Sequence, residues 1–146
     1  MKKIDLAYFA GHFDGEGCIC ISKESCKSSV HPQYRVHIQV SSVDEWIIRQ
    51  WHFSFGGLIF KGSPSNLRKH PLWVWKLKGG KTAEILKTLL PYLRLKKAQA
   101  EIAIGFCKRL QKGNLHPPLS PTELALREAN KILISDLNQR KNVPRG

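Results

Sequence analysis

The sequence has few acidic side chains, a single methionine and no long apolar run. Asp and Glu number 11 against 24 Lys and Arg, which gives a formal net charge of +13 at pH 7 in 146 residues. Such an excess of positive charge favours a polyanionic partner, either nucleic acid or an anionic membrane surface. Because no apolar run approaches the length of a membrane span, we expect no membrane partner, and nucleic acid is the leading candidate.

The four cysteines show none of the common zinc-site spacings. Cys18, Cys20 and Cys26 cluster, Cys107 stands apart, and no C-x-x-C pair occurs. A zinc site built from the clustered cysteines and a histidine is conceivable, but reduced thiols in an intracellular protein are the simpler interpretation.

The length and a hydrophobic content of 42% predict one domain with a substantial core. We expect this domain to span residues 1–146, with a core at about 5–112, a connector at 113–121 and a C-terminal helix at about 122–140. Alternating apolar and polar positions predict strands at 18–24, 33–40, 58–61 and 72–78. Further helices are expected at 5–14 with Asp5 as N-cap, from Asp44 to Gly56, at 81–90 and at 92–112.

The resulting order, α-β-β-α-β-β-α-α-α, indicates an α+β fold. Four strands with one apolar face each would form an antiparallel sheet covered by helices on one face. The other face would present side chains that can reach base edges in the major groove of DNA. The predicted base-reading residues are Ser22, Glu24, Gln33, Arg35, His37, Gln39, Lys76 and Lys78. Phosphate contacts are expected from Lys23, Lys27, Arg68, Lys69 and Lys97.

The most informative stretch is Phe-Ala-Gly-His-Phe-Asp-Gly-Glu-Gly at residues 9–17. An apolar helix rich in small residues runs into two carboxylates, Asp14 and Glu16, among glycines. Carboxylate oxygens at a tight helix end suit a hard cation. In a chain this basic, the combination points to phosphodiester chemistry.

This stretch resembles the motif that names the LAGLIDADG homing endonucleases. A second segment, Leu-Pro-Tyr-Leu-Arg-Leu-Lys-Lys-Ala-Gln-Ala at residues 90–100, is similar to the later PYL-x-x-K-x-x-QA segment of that family. The order of elements between the two segments also matches, so that the resemblance covers roughly residues 5–110.

The sequence contains only one such motif. In this it resembles the homodimeric branch of the family, in which the motif helices of two protomers pack together. The resemblance implies a dimer interface that includes Leu6, Phe9, Ala10, Gly11 and Phe13. It also implies that the Glu16 carboxylate and the Gly15 carbonyl oxygen bind Mg²⁺, with Mn²⁺ as a substitute. Glu16 would then lie beside its symmetry mate.

Three further residues take expected roles from the same resemblance. Lys96 matches a lysine near the scissile phosphate that stabilises charge or orients water. Ser42 falls where relatives often carry a polar residue that positions water. Asp14 is expected to end the helix and steady the interface, rather than to bind metal directly.

The resemblance thus implies a site-specific, Mg²⁺-dependent endonuclease that cuts double-stranded DNA as a homodimer on a long pseudo-palindromic site. Its gene would lie in an intron or a free-standing mobile element, and the protein would act in the cytoplasm or nucleoid of a prokaryote or in an organelle. The alternatives are an RNA maturase acting on intron RNA, a DNA-binding regulator on the same scaffold, or a basic RNA-binding protein without a catalytic site.

Overall fold

The computed structural model describes residues 1–25, 27–28, 30–62, 69–113 and 119–139. The predicted order of elements is confirmed. The helices and strands are α1 (Lys3–Glu16), β1 (Gly17–Glu24), β2 (Gln33–Ser42), α2 (Glu45–Phe55), β3 (Leu58–Lys61), β4 (Trp73–Lys78), α3 (Lys81–Leu89), α4 (Lys97–Gly113) and α5 (Pro121–Gln139), with one turn of 3₁₀ helix at Leu90–Tyr92 between α3 and α4.

The four strands form one antiparallel sheet in the order β1-β2-β4-β3. The side chains of β2 alternate as predicted, because Tyr34, Val36, Ile38 and Val40 are buried. They pack with Ile19 and Ile21 of β1 and with Trp75 and Leu77 of β4 in one apolar core beneath the helices. The fold is therefore α+β, with helices on one face of the sheet.

Helix α1 enters the core through Phe9, Ala10 and Phe13, and it passes directly into β1. A Cβ atom on Gly17 would lie 2.4 Å from the Phe13 ring, so this junction requires glycine for close packing. The prediction of Asp5 as N-cap is wrong. The helix begins two residues earlier, at Lys3, and the Asp5 carboxylate accepts a hydrogen bond from the backbone N–H of Lys2 (3.1 Å).

The turn between α2 and β3 forms at the predicted glycine pair. Gly56 and Gly57 have φ angles of 72° and 87°, a left-handed conformation that glycine adopts without strain. The Trp75 indole N–H donates to the Gly56 carbonyl oxygen (2.6 Å), which fixes this turn against β4.

The boundary before α4 differs from the predicted one. Helix was predicted from residue 92, but α4 begins at Lys97. The backbone N–H groups of Arg94 and Lys96 donate to the Asp14 carboxylate instead of continuing a helix. Helix α5 begins at Pro121, close to the expected start at about residue 122, and the Ser120 hydroxyl caps it by accepting from the backbone N–H of Glu123 (3.1 Å).

None of the helices in the part of the chain given above combines the length and apolarity that crossing a membrane requires.

Candidate functional site

Asp14 joins the end of α1 to the segment before α4. Its side chain is 8% exposed, and its two oxygens accept hydrogen bonds from the backbone N–H groups of Arg94 (2.7 Å) and Lys96 (3.0 Å). Both carboxylate oxygens are thus engaged in holding two segments together. This geometry suits the predicted helix-end role of Asp14.

The Lys96 side chain is buried at the same place. It is 1% exposed, and its ammonium group donates a hydrogen bond to the Asp14 carbonyl oxygen. A cation at the last turn of a helix interacts favourably with the carbonyl dipoles there. The structure therefore places a buried positive charge at the end of α1, two residues before Glu16.

Glu16 and Gly15 are exposed at this helix end. No ion pair of the Glu16 carboxylate occurs among the residues that the structure describes. The exposed carboxylate and the neighbouring carbonyl oxygen are hard oxygen donors of the kind that Mg²⁺ takes. Across the described ranges, no three His, Cys, Asp or Glu side chains converge on one point.

His12 lies one helical turn before Glu16 and is engaged with α2. Its Nδ1 accepts a hydrogen bond from the Trp51 indole N–H (2.9 Å). Burial lowers the pKa of His12, and the opposing effect of the Glu16 carboxylate is smaller. The neutral imidazole is the form that accepts this bond, so His12 has a packing role.

The predicted dimer interface needs correction. Phe9, Ala10 and Phe13 are 6%, 0% and 0% exposed, because they fill the core of the chain itself, and Leu6 packs against that core. Gly11 alone of the predicted set lies on the outer face of α1. That face consists of Ile4 (75% exposed), Ala7, Tyr8 (57% exposed), Gly11 and Gly15.

Ser42 is the last residue of β2, two positions beyond the Gly17–Val40 pair and so near the end of α1. Its hydroxyl accepts a hydrogen bond from the backbone N–H of Asp44 (3.0 Å). The Asp44 carboxylate in turn caps α2 at Trp46 (2.8 Å). Ser42 therefore stabilises the turn into α2, and its role in positioning water stays a prediction.

The sheet has a second face, opposite the helices, that we call the open face. One row of paired residues crosses all four strands, from Cys18 through Gln39 and Lys76 to Leu58. None of the open-face residues is buried. They are Cys18, Cys20, Ser22, Glu24, Gln33, Arg35, His37, Gln39, Ser41, Leu58, Phe60, Val74, Lys76 and Lys78. All eight predicted base-reading residues lie on this face.

Three polar side chains of β1 and β2 on the open face contact one another only weakly. Arg35 lies 3.7 Å from the Glu24 carboxylate and donates to the Gln33 amide oxygen (3.1 Å). Each of these side chains is exposed, and an exposed ion pair contributes little to stability. All three are therefore available to a ligand at small cost.

His37 occupies the middle of the open face, paired with Cys20 on one side and Lys78 on the other. Burial together with the charges of Lys76 and Lys78 lowers its pKa to about 4, although Glu24 opposes the shift. At neutral pH the imidazole is uncharged, and because its Nδ1 atom is buried, it is Nε2 that can face a ligand.

Cys18 and Cys20 lie on the open face next to the end of α1, with their Sγ atoms 3.3 Å apart. The hydrogen bond with Cys18 and burial both raise the pKa of Cys20, so that it remains a thiol. The predictions from sequence did not place these thiols on this surface. The alternation of β1 was the signal that would have placed them there.

The predicted phosphate-binding residues occupy different places. Lys27, Lys69 and Lys97 are exposed. Lys23 lies on the helix-covered side, 3.3 Å from Glu128 of α5. Strand parity places it there, because Lys23 pairs with Tyr34 of the core face. Arg68 lies outside the described residues.

No family model matches the sequence, and no curated protein matches it. Solved structures do match. The homing endonuclease I-CvuI, solved in complex with a DNA target in the presence of magnesium, is 25% identical, with 92% of this chain and 82% of that chain covered and a TM-score of 0.76. The archaeal intron-encoded homing endonuclease I-Vdi141I, complexed with DNA, is 13% identical, with 100% and 88% covered and a TM-score of 0.76.

The meganuclease I-SmaMI, bound to uncleavable DNA, is 19% identical with a TM-score of 0.70. The match covers 87% of this chain but 43% of that chain. A further structure of the same protein is described as a LAGLIDADG homing endonuclease bound to cleaved DNA.

Proposed function

From the premise that the chain has the LAGLIDADG homing endonuclease fold, we propose that it is a site-specific, Mg²⁺-dependent endonuclease that cuts double-stranded DNA as a homodimer. The observation that carries the proposal is the position of Glu16. It stands exposed at the end of a helix whose outer face is also exposed, next to a sheet face lined by polar and cationic side chains.

The open face is the proposed DNA-binding surface. Amide, guanidinium, imidazole and ammonium groups on a sheet are suited to base edges in the major groove. I-CvuI and I-Vdi141I, which share the fold, were both solved with DNA. The net charge of +13 supplies the long-range attraction and predicts a steep salt dependence of binding.

The outer face of α1 is the proposed dimer interface. Ala7, Gly11 and Gly15 recur every four residues, so they line up along one side of the helix. A Cβ atom on Gly11 or Gly15 would meet no atom of this chain within 4 Å. Small residues on an exposed helix face allow a second helix to approach closely. The large exposed side chains Ile4 and Tyr8 would be buried by the same contact.

The length of the I-SmaMI chain also supports the proposed dimer. Because this chain corresponds to 43% of the I-SmaMI chain, that protein has room for two such units in one polypeptide. A homodimer would supply the second unit here. Two identical chains would read two half-sites, which predicts a pseudo-palindromic target.

The Glu16 carboxylate and the Gly15 carbonyl oxygen would hold Mg²⁺ between the paired helix ends. When bound, Mg²⁺ neutralises charge on the scissile phosphate and supplies a hydroxide at neutral pH. Two neighbouring glutamates repel each other unless a cation lies between them, so metal binding and dimer geometry would be coupled.

Lys96 would act at the same helix end. Its buried amino group, held on the carbonyl oxygen of Asp14, would stabilise charge that develops on the phosphate. The Asp14 carboxylate holds the Lys96 backbone and so sets the position from which that side chain reaches α1.

We place the protein in the compartment that holds its DNA, either the cytoplasm or nucleoid of a prokaryote or an organelle, and its gene in an intron or another mobile element. The intron-encoded relative I-Vdi141I supports this setting.

The test is cleavage of a pool of randomised DNA duplexes by the purified chain, with Mg²⁺ or with a chelator. We expect the chain to bind a subset of the duplexes in both conditions and to cut both strands of these duplexes only with Mg²⁺. Retention without any cutting would favour a DNA-binding regulator on the same scaffold. Selective retention of structured intron RNA over every duplex would favour an RNA maturase.

A further inference from the structure

The open face carries an apolar patch that the polar residues of the proposed DNA-binding surface do not explain. Leu58 is 63% exposed and Phe60 is 49% exposed, both on β3. Val74 of β4 is the direct partner of Phe60 and is partly exposed. Ile59, between them in sequence, pairs with the buried Trp75, so strand parity directs Leu58 and Phe60 away from the core.

These side chains line an open groove of about 570 Å³. The groove is shared with polar and cationic residues, since Gln39, Lys76 and Lys78 line it as well. Lys76 is the direct cross-strand partner of both Leu58 and Gln39. The apolar patch is thus continuous with the surface proposed to contact DNA, and it is flanked by positive charge.

A DNA major groove offers one apolar group on its base edges, the C5 methyl of thymine. A surface that combines lysine and amide groups with Leu, Phe and Val is complementary to phosphates and base edges on one side and to thymine methyls on the other. The flanking lysines argue against a plain apolar protein segment as occupant, because they would lose hydration without gaining an anionic partner.

We propose that Leu58 and Phe60 of β3 select thymine by contact with its C5 methyl at defined positions in each half-site. This inference rests on the proposed function and adds to it a specificity determinant. The edge strand β3 would read methyl groups, whereas β1, β2 and β4 would read hydrogen-bonding groups. The target would then carry thymines at fixed positions in each half-site.

The experiment compares thymine with deoxyuridine, which lacks only the C5 methyl. Duplexes bound by the wild-type chain are first selected from a randomised pool, and each thymine of a selected site is then replaced singly. We expect binding to weaken about fourfold when one or two particular thymines in each half-site are replaced, because the burial of one methyl group is lost. The Leu58→Ser/Phe60→Ser variant should bind the thymine and deoxyuridine duplexes equally.

Phe53→Ser is the matched control, because Phe53 is 88% exposed but lies on α2, away from the sheet. It should keep the thymine preference of the wild type. Unfolding curves check that the variants fold, as expected for exposed positions. Equal wild-type binding to thymine and deoxyuridine duplexes at every position would overturn the inference while leaving the proposed function intact. Failure to retain any duplex would overturn both.

A preference that persists in the Leu58→Ser/Phe60→Ser variant would also overturn the inference, since the methyl contact would then lie elsewhere. The inference would also be overturned if the wild type self-associated and this variant abolished that self-association without changing the thymine preference. The patch would in that case be the contact between copies along the β3 edge.

Discussion

Lys96 donates two hydrogen bonds to Asp14, although 82 residues separate the two in the sequence. The Lys96 backbone N–H donates to the Asp14 carboxylate (3.0 Å), and the Lys96 ammonium donates to the Asp14 carbonyl oxygen. These contacts join the end of α1, where Glu16 stands, to the start of α4. The geometry of the candidate site therefore depends on a structural carboxylate as well as on the exposed one.

Replacing the buried carboxylate should destabilise the fold. In Asp14→Asn, an amide NH₂ would face the N–H of either Arg94 or Lys96, which would leave a buried donor without an acceptor. We expect the free energy of unfolding to fall by about 2 kcal/mol, measured by urea denaturation. Asp5→Asn, at an exposed position in the first turn of α1, is the control and should cost less than about 1 kcal/mol. An equal effect of the two substitutions would contradict the account.

Glu16→Gln should abolish DNA cleavage and leave DNA binding within about threefold of wild type, because the neutral amide is a poor ligand for Mg²⁺. Cleavage of a selected duplex and its retention on a filter measure the two properties separately. Glu84→Gln, on the exposed side of α3, is the matched control and should cut normally. Undiminished cutting by Glu16→Gln would remove Glu16 from the proposed metal site.

Gly11→Leu should weaken the dimer without destabilising the fold of the monomer. A side chain at Gly11 meets no atom of its own chain within 4 Å, and leucine favours helix more than glycine does. A close helix contact would be overpacked by about 1–3 kcal/mol, which weakens the dimer by about fivefold to 150-fold. Sedimentation as a function of concentration measures the change.

Gly105→Leu provides the control for this substitution, because Gly105 is an exposed glycine of α4 whose Cβ would also meet nothing within 4 Å. It should leave the mass in solution unchanged. Ala10→Leu does not test the interface, since Ala10 is fully buried and the larger side chain would overpack the core. An unchanged dimer in Gly11→Leu would place the interface elsewhere.

Acid should destabilise the protein through two half-buried histidines, His12 and His37. The pKa values of His12 and His37 are lowered in the folded chain, that of His37 from 6.5 to about 4. Between these values the unfolded chain binds more protons than the folded one, so the free energy of unfolding falls as the pH drops below 6.5. His37→Gln should lose less stability than wild type between pH 7 and pH 5.

The control for the pH measurement is Gln39→Ala, on the same face of β2, which should retain the full loss of stability in acid. Identical pH profiles for wild type and His37→Gln would show that His37 is not the group responsible. His37 is faced by Lys76 and Lys78 from β4 and by Glu24 from β1, and the two lysines outweigh the glutamate.

Local pattern was enough to predict most of the fold. The alternation from Tyr34 to Val40 fixes which side of β2 is buried, and the glycine pair at 56–57 fixes the end of α2. The start of α4 was missed because the competing acceptor for the backbone of residues 94–96 is Asp14, far away in the sequence. No local pattern contains that information.

The sequence indicated which residues belong to the candidate site, but it did not indicate which side of α1 faces the core. The motif at residues 9–17 singled out Asp14 and Glu16, and the segment at residues 90–100 singled out Lys96. The structure gathers Asp14 and Lys96 at the end of the helix that bears Glu16. The apolar residues of α1 recur on both sides of the helix, so sequence alone did not separate Phe9 and Phe13 of the core from Ile4 and Tyr8 of the outer face. Tertiary packing makes that choice.

The central claim is that two identical chains share one DNA site through α1. The most direct measurement is the native mass of the complex between the wild-type chain and one selected duplex. We expect two chains for each duplex, with the duplex still intact when Mg²⁺ is withheld. A complex of one chain with one duplex that is cut in both strands when Mg²⁺ is added would contradict it.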